Sequence, residues 1–191
     1  MKPRRVMVLF VLLELIIITA AVLMNGFSQT ALQTATRFSG RLSLFLFSAI
    51  FLMHNKPAIL HAWFSEKFYL LFAIVHGIHL IELLAYVYST GVELIPVRVL
   101  GGSLAYGFIF LMPVLSNYSK ARKITMKQFF TIEAIFLYYI WLIFFLTYLP
   151  RVQGKLPSAG GTYAEHVALL GWVSTMLGIK LTSLIQFQRA R

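Results

Sequence analysis

The sequence predicts an all-α integral membrane protein, a single domain over residues 1–191 built as a bundle of six transmembrane helices. Of its residues, 59% are hydrophobic and only 12% are charged, whereas about 25% charged residues are usual in a soluble domain. A membrane-spanning helix needs roughly 20 mostly apolar residues. Six stretches meet or approach that length: residues 6–24, 38–53, 68–88, 99–116, 128–149 and 166–187. The short connections between them leave no room for a soluble catalytic domain.

The first three predicted helices differ in what flanks or interrupts them. Because signal-peptide cores span about 7–15 residues, the longer apolar run after the basic start predicts an uncleaved first helix. The second helix is short and begins beside Arg37 and Arg41, whose long side chains can reach the membrane surface. The third helix carries two histidines and a glutamate, His76, His79 and Glu82.

The last three predicted helices carry a proline, a glutamate and a stripe of small residues. Pro113 lies near the end of the fourth helix, where neighbouring helices must cover the carbonyl that it frees. The fifth helix carries Glu133. On the sixth helix, one face holds four small residues: Gly171, Thr175, Gly178 and Thr182. Small faces let helices approach closely, which predicts packing within the chain or, alternatively, a homodimer.

The distribution of basic residues predicts the topology. The formal net charge of +11 at first suggests a nucleic-acid partner. With cytoplasmic N- and C-termini, however, the cytoplasmic segments hold eleven Lys and Arg residues and the opposite loops five. This asymmetry follows the positive-inside rule and indicates contact with anionic headgroups of the lipid bilayer. We therefore expect no nucleic-acid role, and the short loops favour a bacterial inner (plasma) membrane.

Ionisable residues inside the predicted spans are the candidates for function. They are Glu14, His76, His79, Glu82, Glu133 and Lys180, with His166 at the outer edge of the sixth helix. Such residues usually face the bundle interior, pair with one another and mark function, because a central charge costs roughly 2.5–3.5 kcal/mol. The sequence assigns no role to Glu14. His54 and His61 fall in a predicted cytoplasmic loop, where a structural role is expected.

Glu133 and Lys180 are predicted to form a buried ion pair. A helix rises about 1.5 Å per residue, which puts Glu133 roughly 8 Å and Lys180 roughly 10 Å from the inner boundary. The two opposite charges thus share a depth. The alternative is that Lys180 extends alone to the cytoplasmic surface.

His76, His79 and Glu82 span an arc of about 120° on the third helix, so all three can face a bundle centre. Neutral imidazole is a ligand for haem iron and for metals, and Glu82 could orient His79 through its second ring nitrogen. Two histidines three residues apart are a weak zinc signal. Proton transfer along His and Glu side chains and a purely structural role are the alternatives.

Four stretches resemble the ferric reductase-like transmembrane domain, which includes the membrane parts of ferric reductases and NADPH oxidases. They are RFSGRLSLFLFSAIFL, KFYLLFAIVHGIHLIELLAY, RVLGGSLAYGFIFLMPVLSN and KQFFTIEAIFLYYIWLIFFLTYLPR, within residues 37–151. The resemblance implies one or two b-type haems, with histidine ligands on the third and fifth helices. It also implies electron transfer from a cytoplasmic flavin or nicotinamide partner to an outer acceptor.

Carried over by position, His76 or His79 matches the third-helix ligand, but the fifth helix departs from the family pattern. The family's Leu-His appears here as Ile132-Glu133, and residues 128–149 contain no histidine. Three outcomes remain open. One haem uses His79 and His166, a haem bound by His76 or His79 has one open axial position, or the fold has lost haem.

The resemblance thus implies a haem b electron-transfer protein served by a separate cytoplasmic or membrane redox partner, which could dock on the basic loop 117–127. No glycine-rich phosphate-binding motif for FAD or NADPH is present, and the sequence predicts no catalytic residue. The alternative is a non-redox scaffold, assembly subunit or transporter-like protein on the same fold. In that case the His and Glu side chains are structural or carry protons.

Overall fold

The computed structural model describes residues 3–53, 58–92, 95–156 and 160–189. For residues 3–4, 58–66 and 184–189 it describes the backbone alone. The described chain is all-helical. It forms α1 (Pro3–Asn25), α2 (Gln29–Met53), α3 (Ala58–Thr90), α4 (Pro96–Lys120), α5 (Met126–Val152) and α6 (Tyr163–Arg189). Five of these helices, α1 to α5, are long and apolar enough to cross a membrane. The all-helical fold class is therefore confirmed, and the five helices suit a membrane-embedded protein, while the sixth crossing and the side of the termini stay predictions.

Two helices, α2 and α3, begin nine and ten residues before the apolar runs that predicted them. The second was expected from residue 38, but α2 begins at Gln29. Its polar first turns are held by the end of α3, because the Gln29 amide donates to the Ser89 carbonyl and the Gln33 amide to the Tyr86 hydroxyl. Likewise α3 begins at Ala58. The backbone of His61 is therefore helical rather than in a loop, while its side chain and all of His54 lie outside the described residues.

The other helix starts follow local capping chemistry. Thr125 and Gln128 form a reciprocal capping box at the start of α5. Thr162 and Glu165 exchange the same pair of hydrogen bonds at the start of α6. These caps satisfy backbone N–H groups that the first turn of a helix leaves without partners.

Five helices form a ring and one lies outside it. Helices α2, α3, α4, α5 and α6 contact one another in chain order, and α6 closes the ring against α2. Helix α1 packs on the outside, against α2 and α3. Aromatic rings fill the centre: Phe47 stands 5.7 Å from Phe72 and 5.5 Å from Phe144, measured between centroids.

The small stripe of α6 does not pack within the described chain. Gly171, Thr175, Gly178 and Thr182 are all exposed, and a Cβ at either glycine would meet nothing within 4 Å. The expectation of intramolecular packing is therefore wrong for this stripe. The buried face of α6 holds larger side chains, Val173, Met176 and Lys180. The homodimer stays a prediction.

Candidate functional site: buried carboxyls beside a histidine pair

The imidazole of His76 lies in a stack of rings at the centre of the bundle. It is nearly parallel to Phe72 and Tyr106, with centroids 5.2 and 4.9 Å away. Phe144 of α5 approaches it edge-on at 6.1 Å. The ring of His79 lies 5.2 Å from it. The histidines thus adjoin each other, as their spacing on one helix face predicts.

His79 faces α2 rather than the bundle centre. A Cβ built on Gly40 would lie 3.0 Å from Cε1 of His79, so the imidazole occupies the space that a side chain there would take. The ring also hydrogen-bonds to the backbone of Thr36. Nδ1 has no hydrogen-bond partner in the described structure. The α2 backbone therefore fixes the orientation of His79.

Two carboxyl groups meet at the junction of α1, α2 and α3. Glu14 is 1% and Glu82 is 7% exposed. The Ser39 hydroxyl donates to Oε1 of Glu14 over 3.0 Å and also lies beside the Glu82 carboxyl. A hydroxyl has one hydrogen to donate. Accordingly, Oε2 of Glu14 and both oxygens of Glu82 have no hydrogen-bond partner among the described residues. We call Glu14, Ser39 and Glu82 the carboxyl cluster.

The carboxyl cluster changes the role expected for Glu82. The sequence suggested that Glu82 orients His79. In the described structure, however, neither the carboxyl oxygens of Glu82 nor Nδ1 of His79 make a hydrogen bond. Glu82 lies instead beside Glu14, and the like charges of the two carboxylates repel each other. No role could be predicted for Glu14, because its partners Ser39 and Glu82 are distant in the chain.

Glu133 and Lys180 lie in the core but have other immediate neighbours. Glu133 is fully buried and accepts a hydrogen bond from the Tyr69 hydroxyl. The Lys180 ammonium donates to the Phe51 carbonyl over 2.8 Å and lies 5.2 Å from the centroid of the Phe51 ring. The charge of Glu133 attracts it. The ion pair between Glu133 and Lys180 stays a prediction.

His166 lies among arginines at the end of the bundle where α6 begins. It is 6% exposed, and neither ring nitrogen has a hydrogen-bond partner among the described residues. The charges that act on it belong to Arg151, Arg41, Glu165 and Arg37. Its surroundings differ from those of His79, which packs against Gly40.

The described residues do not fit a haem held between α3 and α5. The α5 side chains that reach α3 are Phe136 and Phe144, with centroids 6.5 Å from Phe72 and 6.1 Å from His76 respectively, and Glu133. None of these α5 side chains is an imidazole. Within the described part of the chain, no group of three His, Cys, Asp or Glu side chains could hold a metal ion. Haem binding through His76, His79 or His166 stays a prediction of the resemblance.

Comparisons with known proteins leave the family open. No family model, curated protein or solved structure matches the chain. The resemblance to the ferric reductase-like transmembrane domain therefore stays a prediction carried by the four stretches quoted from the sequence.

Proposed function

We propose that this chain is a non-redox, transporter-like membrane protein whose working group is the carboxyl cluster, which takes up and releases a proton. The observation that carries the proposal is the pairing of Glu14 and Glu82 from different helices, both more than nine-tenths buried, with three carboxyl oxygens unpartnered. In the described structure no Lys or Arg contacts either carboxyl. The cluster is therefore a pair of like groups without a counter-charge.

Two like charges at such a site oppose each other. Burial disfavours the charged form of a carboxyl, and a second carboxylate nearby disfavours it further. The pair avoids this cost when it holds a proton, with Ser39 donating to whichever oxygen carries charge. The cluster thus has the chemistry of a proton-binding site.

The histidine pair supports a route for the proton. His79 is one helical turn from Glu82, and His76 lies beside His79. Chains of His and Glu side chains carry protons in pumps and transporters. A neutral imidazole has one donor and one acceptor nitrogen, and the Nδ1 atoms of both histidines have no described partner that would compete for a proton.

The placement of α1 supports coupling between protonation and movement. Helix α1 contacts α2 and α3 and lies outside the ring of the other five. Glu14 is its fully buried ionisable group, and it faces Ser39 and Glu82 across that contact. Loss of the shared proton puts repelling charges on the two sides of one helix interface, and its return removes them. A peripheral helix biased in this way is a two-state element of the kind that transport requires.

Infrared difference spectra between acidic and alkaline buffer test the proposal on purified protein. A pH-dependent carbonyl stretch of a protonated carboxylic acid is expected in the wild type. It should be changed or lost in Glu14→Gln and in Glu82→Gln. Glu133→Gln, which removes a buried carboxyl at the Tyr69 hydroxyl, is the matched control and should leave that band in place.

Proton uptake into proteoliposomes, followed with a trapped pH-sensitive dye, is the functional readout. Uptake should occur with the wild type and fall in both cluster variants. An unchanged band and equal uptake in Glu14→Gln, Glu82→Gln and wild type would refute the proposal. A b-type haem spectrum in wild-type protein that is lost in His76→Ala or His79→Ala would replace it with the electron-transfer function that the family resemblance implies.

A further inference from the structure

One end of the bundle concentrates positive charge around a buried histidine. Arg37 and Arg41 lie in the first half of α2, Arg151 in the last turn of α5, and His166 in the first turn of α6. Among the described residues there, Glu165 is the carboxylate that opposes these cations. The end therefore carries more positive than negative side chains. We call Arg37, Arg41, Arg151 and His166 the cationic cluster.

The direct partner of Glu165 is Arg41, and Arg37 is a further cation whose charge acts on the same carboxylate. Nη1 of Arg41 donates to Oε1 of Glu165 over 3.3 Å, and Nη2 of Arg41 lies 3.1 Å from Oε2 in an ion pair. The same carboxylate accepts from the Thr162 backbone N–H at 2.7 Å as part of the helix cap. Arg37 stands beside this pair, because both guanidinium groups lie over the Phe38 ring, at 5.1 and 4.8 Å from its centroid. The buried Nε of Arg37 has no described hydrogen-bond partner.

Two glycines bring the chain close over the guanidinium groups. Gly160 and Gly161 have φ of +77° and +94°, which side-chain-bearing residues rarely adopt. A Cβ at Gly160 would lie 3.0 Å from Nη1 of Arg37, and one at Gly161 would lie 2.6 Å from Oε2 of Glu165. The segment thus covers Arg37 on one side. His166, with both ring nitrogens unpartnered, provides a second set of polar atoms in the same cluster.

We infer that the cationic cluster binds a phosphate group, with Arg37 and His166 as its principal ligands. Arg37 is half-buried, and its buried Nε–H has no described partner, which is costly. The planar fork of a guanidinium matches the oxygens of a phosphate. A protonated or suitably tautomeric imidazole adds a further N–H donor. The cluster lies where the end of α5 and the start of α6 meet the first half of α2, so both a phospholipid headgroup and a soluble phosphate compound can supply the group. This inference does not depend on the carboxyl cluster, which involves other residues.

Binding measurements with two probes distinguish a phospholipid headgroup from a soluble phosphate compound as the source of the phosphate group. Inorganic phosphate is titrated into protein in a neutral detergent by calorimetry, and phosphatidylglycerol retained by the protein is counted by native mass spectrometry. Phosphate binding points to a soluble ligand, and retention of the lipid without phosphate binding points to a headgroup. Either result supports the site if Arg37→Gln weakens it by roughly ten- to a hundredfold, the effect of removing one charged hydrogen-bond donor.

Matched variants keep the test specific. Arg37→Lys keeps the charge but loses the fork, and should bind less tightly than wild type and better than Arg37→Gln. Lys123→Gln removes a positive charge from the α4–α5 turn, where Lys123 lies over the Tyr118 ring, and should bind as wild type. If Arg37→Gln does not fold, His166→Asn takes its place. Absence of both ligands from wild type, or equal binding by wild type and the folded Arg37 or His166 variants, would overturn the inference.

Discussion

Replacing Gly40 with alanine tests the contact that places His79 against α2. The new Cβ would lie 3.0 Å from Cε1, 3.5 Å from Nε2 and 3.6 Å from Nδ1 of His79. The methyl group therefore meets a whole edge of the ring, and the ring is held by its hydrogen bond to Thr36. Overpacking of this kind typically costs about 1–3 kcal/mol. Alanine also gains about 1 kcal/mol over glycine in a helix interior.

The matched control is Gly107→Ala on α4, where a Cβ would meet nothing within 4 Å. Both variants share the gain in helix propensity, so their difference isolates the contact. We expect Gly40→Ala to be less stable than Gly107→Ala by about 1–3 kcal/mol. For a chain of 191 residues, each kcal/mol corresponds to about 2–4 °C in Tm. Thermal unfolding of the two variants in the same detergent measures the difference.

A double variant identifies the cause of any loss. In a His79→Ala background the obstructing ring is gone, so Gly40→Ala should lose its penalty and behave like Gly107→Ala. Coupling of this kind is expected only for residues in contact. Equal stability of the two alanine variants, or a penalty that persists without the imidazole, would refute the placement of His79 against Gly40.

Two further predictions concern other polar contacts. Tyr69→Phe removes the hydroxyl that donates to the fully buried Glu133, and should lower the free energy of unfolding by about 1–3 kcal/mol. The control Tyr88→Phe, at a 92% exposed residue, should change that free energy by less than about 0.5 kcal/mol. Denaturant titrations measure both variants, and equal effects would contradict this prediction. The Thr162 backbone N–H and the Arg41 side chain hold the pKa of Glu165, just before the predicted sixth span, below its ordinary value of 4.5. Because the folded-state pKa is the lower one, this contribution to stability is present above pH 4.5 and is lost as the pH falls through the folded-state value. Unfolding of wild type and Glu165→Gln across that window should therefore converge at the acid end, and a constant difference would disprove the linkage.

Hydrophobic run length predicted the helices but not their full extent. The six runs correspond to α1 to α6, because apolar stretches near 20 residues have few alternatives to a membrane helix. The early start of α2 at Gln29 depends on hydrogen bonds from its polar first turns to Ser89 and Tyr86. Those partners lie more than 50 positions away in the chain, so local composition carries no sign of them.

Depth and helix face predicted the burial of most ionisable residues in the predicted spans, but not which ones meet, and His76 and His79 are only partly buried. Glu14, Glu82, Glu133, His166 and Lys180 are all buried, as the cost of exposing charge to lipid demands. The meeting of Glu14 with Glu82 required knowing that α1 packs against α2 and α3. One signal of this contact in the sequence was Ser39-Gly40, because small residues let neighbouring helices approach closely. Arg41 and Glu165 are 124 positions apart, and only their opposite charges indicate in the sequence that they could pair.

The environment of the α3 histidines argues for a change of partner helix. In the family that the sequence resembles, the histidines of the third helix face ligands on the fifth, and here α5 offers phenylalanines and Glu133 instead. Helix α2 instead presents a face of small and polar residues to its neighbours: Thr36, Ser39, Gly40 and Ser43. His79 donates to this face at Thr36 and packs on it at Gly40. Ser39 joins the same face to both carboxyls. His79 also lies one helical turn from the Glu82 carboxyl on the same helix. The proposal that the polar residues of α1, α2 and α3 bind a proton rests on this arrangement.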